Sequence, residues 1–192
     1  MTDTDDHDTP LTLVVDDEKE VADAYALRLR GACAVETAYG GREALSVVED
    51  HPVDIVLLDR HMPDISGDTV LTELDDRGFD GRVVMVTAID PEFDVLDLPF
   101  DDYLCKPIDR EDVREVVDQQ RQILAYETLG EFFSVKSTKT VLEAETSPDQ
   151  REGNEDFQSV ARRADRLERR ARRLLDDESV VERFDGIDRG GR

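Results

Sequence analysis

Basic residues are scarce in this chain: 24 stand against 48 acidic ones, and only four of the 24 are lysine. The formal net charge of −24 describes a carboxylate-rich surface that repels itself in dilute buffer. Concentrated salt screens that repulsion, so the composition predicts a fold that gains stability as KCl is added, suited to a halophilic cytoplasm. Long apolar runs are also lacking. None approaches the ~20 residues a bilayer span needs, which excludes a spanning helix and a membrane partner. Met1 to Pro10 is acidic and Thr-rich rather than basic and then apolar, so it does not read as a secretory signal. Cysteine is limited to Cys33 and Cys105, without metal-ligand spacing. Both fall in predicted strands and read as buried free thiols in a reducing compartment.

What is present is regular. Leu11 to Val15, Val53 to Leu58 and Arg82 to Val86 are short apolar runs, each followed by a helix-length amphipathic segment. Such alternation predicts an α/β fold with a parallel sheet buried on both faces. The spacing gives strands at 11–15, 33–38, 53–58, 82–86 and 102–105. Helices are read at 18–30, 41–50 and 67–77, with a short helical turn near 91–97 and a helix from Asp109, a plausible N-cap. Gly31, Gly40, Gly41, Pro52, Gly78, Gly81 and Pro99 supply the breaks.

Charge then divides the chain. Residues 1–125 hold 32 acidic and 11 basic residues, net −21, whereas residues 126–192 hold 16 and 13, net −3. The reading is a disordered acidic N-terminus at 1–9, an α/β domain at 10–125, a helical domain at 126–180 and a disordered tail at 181–192.

Polar residues sit where the apolar runs end: Asp16 and Asp17, then Asp59, then Thr87, then Lys106 before Pro107. In open parallel sheets, chemistry gathers outside the carboxyl ends of the strands, so these positions converge. Taken singly each has a plain structural explanation: an Asp pair caps a helix, a Thr satisfies backbone, Lys-Pro makes a turn. Jointly and in order they describe a phosphoacceptor pocket. Three carboxylates repel one another unless a hard cation lies among them, and Mg2+ suits carboxylates, waters and phosphoryl oxygens together. Lys106 brings a point charge and Thr87 a hydroxyl, so Asp59 can take a phosphoryl group as an acyl phosphate.

The stretches Leu13 to Glu18, Asp59 to Gly67, Val86 to Ala88 and Asp102 to Pro107 resemble the receiver domain of two-component response regulators over about residues 9–125. The resemblance implies a doubly wound, flavodoxin-like sheet of five parallel strands. It implies that Asp59 receives phosphate from the phosphohistidine of a sensor histidine kinase. Asp17, Asp59 and the backbone carbonyl of His61 would bind Mg2+ directly and Asp16 through water. Thr87, Ala88 and Lys106 would hold the phosphoryl oxygens, and Tyr103 would turn inward as the switch moves. The role is a phosphoacceptor switch rather than an enzyme. The His61 side chain is expected to point outward, its replacement altering dephosphorylation, and Gly67 to end its loop in a conformation costly for other residues. One departure stands out: the crowded stretch from Thr87 to Lys106, with Asp90, Pro91, Glu92, Asp94, Asp97, Pro99 and Asp101, predicts a short or irregular fourth helix and puts the usual receiver dimer face in doubt.

Beyond Asp109 the helical pattern extends to about Ala144, residues 147–155 read as a polar turn, and Phe157, Val160, Ala164, Leu167, Ala171 and Leu174 recur at three- and four-residue intervals. That seam predicts a helical hairpin or short coiled coil, which also offers a homodimer surface. The layout resembles the HalX domain that follows receivers in haloarchaea. No helix-turn-helix or winged-helix pattern follows Pro107. Arg162, Arg163, Arg166, Arg169, Arg170, Arg172 and Arg173 fill about three turns, with Asp165 and Glu168 the only acids among them. The favoured reading is a solvated flank pairing with acidic helices, and direct DNA binding is the alternative. An aspartyl-phosphate phosphatase shares acyl phosphate, metal and lysine, but expects a second Asp two residues past its nucleophile, where this chain has His61.

Overall fold

The computed structural model describes residues 9–88 and 98–175. Five strands, β1 (Leu11–Val15), β2 (Ala34–Ala38), β3 (Ile55–Asp59), β4 (Arg82–Thr87) and β5 (Asp102–Cys105), form one sheet in the order β2-β1-β3-β4-β5. Every pairing is parallel. Helices α1 (Lys19–Leu29), α2 (Gly41–Asp50) and α3 (Gly67–Asp76) connect the first four strands, and α4 (Arg110–Glu145), α5 (Pro148–Arg151) and α6 (Glu155–Leu174) follow the sheet.

Alternation along each strand explains the two layers. Leu13, Val15, Val56, Leu58, Val83 and Met85 point to one face, where Ala44 of α2 and Val70, Leu71 and Leu74 of α3 cover them. Val14, Ile55, Leu57, Val84 and Val86 point to the other, beneath Ala22, Tyr25 and Leu29 of α1 and Val113, Val116 and Val117 of α4. Burying a Val, Leu or Ile side chain stabilises by about 1.5–3 kcal/mol, so a strand apolar at every position is held only where helices lie on both sides.

Two compact units emerge, residues 9–121 and the residues from 122 onward, with the boundary inside α4. Asp109 caps that helix as its sequence suggests: its Oδ1 accepts from the backbone N–H of Glu111 at 2.8 Å and of Asp112 at 3.0 Å. In the second unit, Leu129, Phe132 and Phe133 of α4 meet Leu167 and Ala171 of α6, and Leu124 and Ala125 meet Leu174. The later half of the seam, Leu167, Ala171 and Leu174, is thus filled within one chain. The polar turn is more ordered than its composition indicated: Ser147 and Gln150 form a reciprocal capping box that, with Pro148 at the first position, starts α5. Asn154 then caps α6.

The expectation of two buried thiols needs correcting. Strand β2 begins at Ala34, leaving Cys33 outside it and half-buried, its Sγ 3.4 Å from the Thr12 hydroxyl. Cys105 ends β5, the sheet edge, and is exposed. The helical turn expected near 91–97 lies outside the described residues, as do 181–192 and all but Thr9 of the N-terminus. Among the described residues no helix is long and apolar enough to cross a membrane.

Candidate phosphoacceptor site

Parallel register brings the polar residues to one edge of the sheet. Val15 pairs with Leu58, Asp59 with Val86 and Thr87 with Cys105, so Asp16, Asp59, Thr87 and Lys106 all fall at or just past the carboxyl ends of adjacent strands. Asp16 is 2 % and Asp59 6 % exposed, while Asp17 faces solvent. One carboxylate oxygen from each of the three lies within 4.8 Å of the others. Lys106 Nζ donates to Asp16 Oδ2 at 2.8 Å and contacts Asp59 Oδ1 at 2.9 Å, bridging the two buried acids.

Electrostatics at this edge are strained. Burial pushes the Asp59 carboxyl above its usual range, and Asp16 and Asp17 add to the shift although Lys106 opposes it. Burial alone would lower the Lys106 ammonium, but its hydrogen bonds to Asp16 and Asp59 outweigh that and raise it. Lys106 is therefore charged, and the acids remain under-neutralised. A cluster of hard oxygen donors with surplus negative charge fits a divalent cation of the magnesium kind.

The surrounding backbone holds these groups. Lys106 N donates to the Thr87 carbonyl at 2.6 Å and Arg60 N to the Val86 carbonyl at 2.9 Å. A cis peptide joins Lys106 to Pro107. Asp16 Oδ1 also accepts from Glu18 N at 2.9 Å, so the acid doubles as a turn cap. Gly67 has a role other than the one expected. Its φ is not positive; instead the start of α3 packs so tightly on the acceptor strand that a Cβ there would meet the Asp59 carbonyl and come within 2.8 Å of Arg60 Cα. Gly67 N donates to the Arg60 carbonyl at 2.9 Å, fastening the same contact. Asp64, at φ 66°, takes the left-handed position in this loop.

His61 also departs from expectation. The residue is exposed, yet its Nδ1 lies 3.4 Å from the Thr87 hydroxyl, so the ring turns toward the pocket rather than away. Ala88 is exposed beside Thr87. Tyr103 is half-buried one strand over, its ring 5.8 Å from Phe100 on the α2–α3 face. Sequence reasoning missed the Arg60 and Asp68 pair, with Nε 3.1 Å from Oδ1, that braces the loop between Asp59 and α3. No periodicity marks two residues meeting across a loop.

The arginines of α6 belong to the second unit and do not all pair as read from sequence. Arg163 Nε donates to Glu131 at 3.0 Å and Arg172 Nη2 to Glu168 at 2.9 Å. Arg162, Arg166 and Arg169 are exposed, with no carboxylate partner among the described residues. Arg170 and Arg173 are half-buried.

A five-stranded parallel sheet with three carboxylates, a hydroxyl and a bridging lysine at its carboxyl edge has the architecture of a receiver domain. The chain belongs to the response regulator receiver family, whose model matches residues 12–118, and residues 122–187 match the HalX domain. It is therefore the receiver of a two-component response regulator followed by a HalX domain. A Haloferax volcanii protein described as a transcriptional regulator is 44% identical over 144 residues, covering 74% of this chain and 25% of that protein. The transcriptional regulatory protein CutR of Streptomyces coelicolor is 40% identical over 99 residues, 50% of this chain and 46% of CutR. The chain thus spans a quarter to under half the length of these curated relatives. Among solved structures, the response regulator protein TrrA from Thermotoga maritima, in complex with Mg(2+)-BeF, is 29% identical with a TM-score of 0.52, covering 58% of this chain and 98% of that one.

Proposed function

We propose that Asp59 accepts a phosphoryl group from the phosphohistidine of a sensor histidine kinase and that the modified receiver switches the helical domain behind it, as part of transcriptional control. Lys106 carries this reading: a single ammonium spans the buried carboxylates of Asp16 and Asp59 at the strand ends. In the transfer, an Asp59 carboxylate oxygen attacks phosphorus, the bond from phosphorus to the histidine nitrogen breaks, and the electron pair leaves with the imidazole. Lys106 exchanges its Asp59 oxygen for a phosphoryl oxygen, and the Thr87 hydroxyl exchanges the His61 ring for another. Magnesium, when bound by Asp16, Asp17, Asp59 and the His61 carbonyl, supplies charge neutralisation for the incoming oxygens. That the similar TrrA structure is in complex with Mg(2+)-BeF supports a site that takes magnesium together with a phosphoryl-like group. The chain acts on itself, so it is a switch and not an enzyme with an external substrate. The regulatory names of the Haloferax and Streptomyces relatives support a role in transcription.

Intact mass after incubation with acetyl phosphate and magnesium in concentrated KCl tests this reading. One labile phosphoryl adduct is expected, absent from Asp59→Asn. An unmodified wild type that is folded, or an adduct that persists in the variant, would overturn it.

A further inference from the structure

Helix α6 buries one stripe and exposes another. Ala164, Ala171 and Leu174 are buried, with Leu167 packed beside them against α4. At 100° per residue, Arg162, Arg166 and Arg169 fall on the opposite side of the helix, spaced by four and then three residues. All three are exposed and unpaired among the described residues, while Arg163 and Arg172, set off from the row, pair with Glu131 and Glu168. The row therefore points away from its own hairpin and is not used by it.

We propose that this row is a contact surface for the phosphates of duplex DNA. The inference rests on the reading of the helical domain as the output of the switch. Three observations select a phosphate partner. All seven basic residues between 162 and 173 are arginine, in a chain with only four lysines. The guanidinium fork meets phosphate oxygens in pairs and is more weakly hydrated than an ammonium, so it suits close contact in concentrated salt. The row spans about 10 Å from Arg162 to Arg169 at 1.5 Å per residue, comparable with the ~12 Å major groove that admits a helix. Finally, the chain's net charge of −24 does not forbid the approach: at molar salt the Debye length is about 3 Å, so only groups in contact are felt.

Fluorescence anisotropy of a labelled duplex, titrated with the full chain across a KCl series, reads the proposal. Circular dichroism at each salt confirms folding. The triple variant Arg162→Gln, Arg166→Gln, Arg169→Gln should bind roughly tenfold or more weakly, with the salt slope reduced by about 2.7, or 0.9 for each phosphate no longer neutralised. Arg163→Gln should bind as the wild type does. Equal affinity and slope in the triple variant would overturn the proposal. So would a wild type that ignores DNA but self-associates through these arginines, seen by sedimentation, which would assign the row to an acidic protein surface. Repeating the titration with Asp59→Asn separates the two readings: arginine-dependent binding that no longer responds to acetyl phosphate leaves this inference standing and tests the switch alone.

Discussion

Residues 9–121 take charge into their interior, with Asp16, Asp54 and Asp59 all buried, whereas the described residues from 122 to 175 bury no charged side chain. Desolvating a carboxylate is costly unless it is paired or hydrogen-bonded, so buried acids persist only where neighbours hold them. Lys106 and the turn at Glu18 do this for Asp16. Leu11 N does so for Asp54, at 3.1 Å and at the opposite end of the strands from the acceptor. Among the described residues of the second unit the clustered interior is Leu, Phe and Ala, and the charged side chains are exposed or half-buried. Among the described residues the buried acids, and with them the candidate site, thus lie in the first unit. The two units are told apart by where each places its ionised groups.

Phe132→Ala should break the contrast most severely. Phe132 is 1 % exposed, and emptying such a site costs about 3–5 kcal/mol. Denaturant titration should show the helical unit lost while acetyl phosphate still modifies Asp59 in the same sample; a matching fall in uptake would mean that the units do not fold independently. Gly67→Ala should sharpen it from the other side. An added methyl against the Asp59 and Arg60 backbone costs roughly 1–3 kcal/mol and displaces the loop that carries His61. Slower phosphoryl uptake is expected with the helical unit unchanged, as followed by time-resolved mass spectrometry.

The smallest effect concerns stability alone. Because the pKa of Asp59 is raised on folding, its ionised form is less favoured in the folded chain than in the unfolded one. Above the folded pKa this is a penalty, and it fades as pH falls through that value. Asp59→Asn removes the charge while Asp16 retains Lys106, so in chelator at neutral pH the thermal midpoint should rise by roughly 2–4 °C. The gain should shrink in acid. A lower midpoint would show that the Asp59–Lys106 contact outweighs the burial of the acid.

The pocket was legible in sequence because its residues end or follow short strand-length segments, three of them apolar runs, and a parallel sheet aligns such ends whatever lies between them. The five strands and the continuous helix after Asp109 were legible for the same reason of period. Other features depend on proximity that no local pattern encodes. Gly67 drew attention as a conformational glycine, yet its missing Cβ matters because the backbone of Asp59 and Arg60 lies against it. The ring of His61 meets Thr87 from 26 residues away. The arginines were countable from sequence, but only the seam of α6 against α4 shows that Arg162, Arg166 and Arg169 face outward while Arg163 meets Glu131.

The bridge made by Lys106 has a consequence for which ions the site admits. Three carboxylates and one ammonium leave the pocket with two negative charges in excess. One divalent ion balances that excess from a single position, whereas potassium needs two ions crowded among oxygens that lie within 4.8 Å of one another. In the concentrated potassium salt that the acidic composition anticipates, valence favours a scarcer divalent ion over the abundant monovalent one.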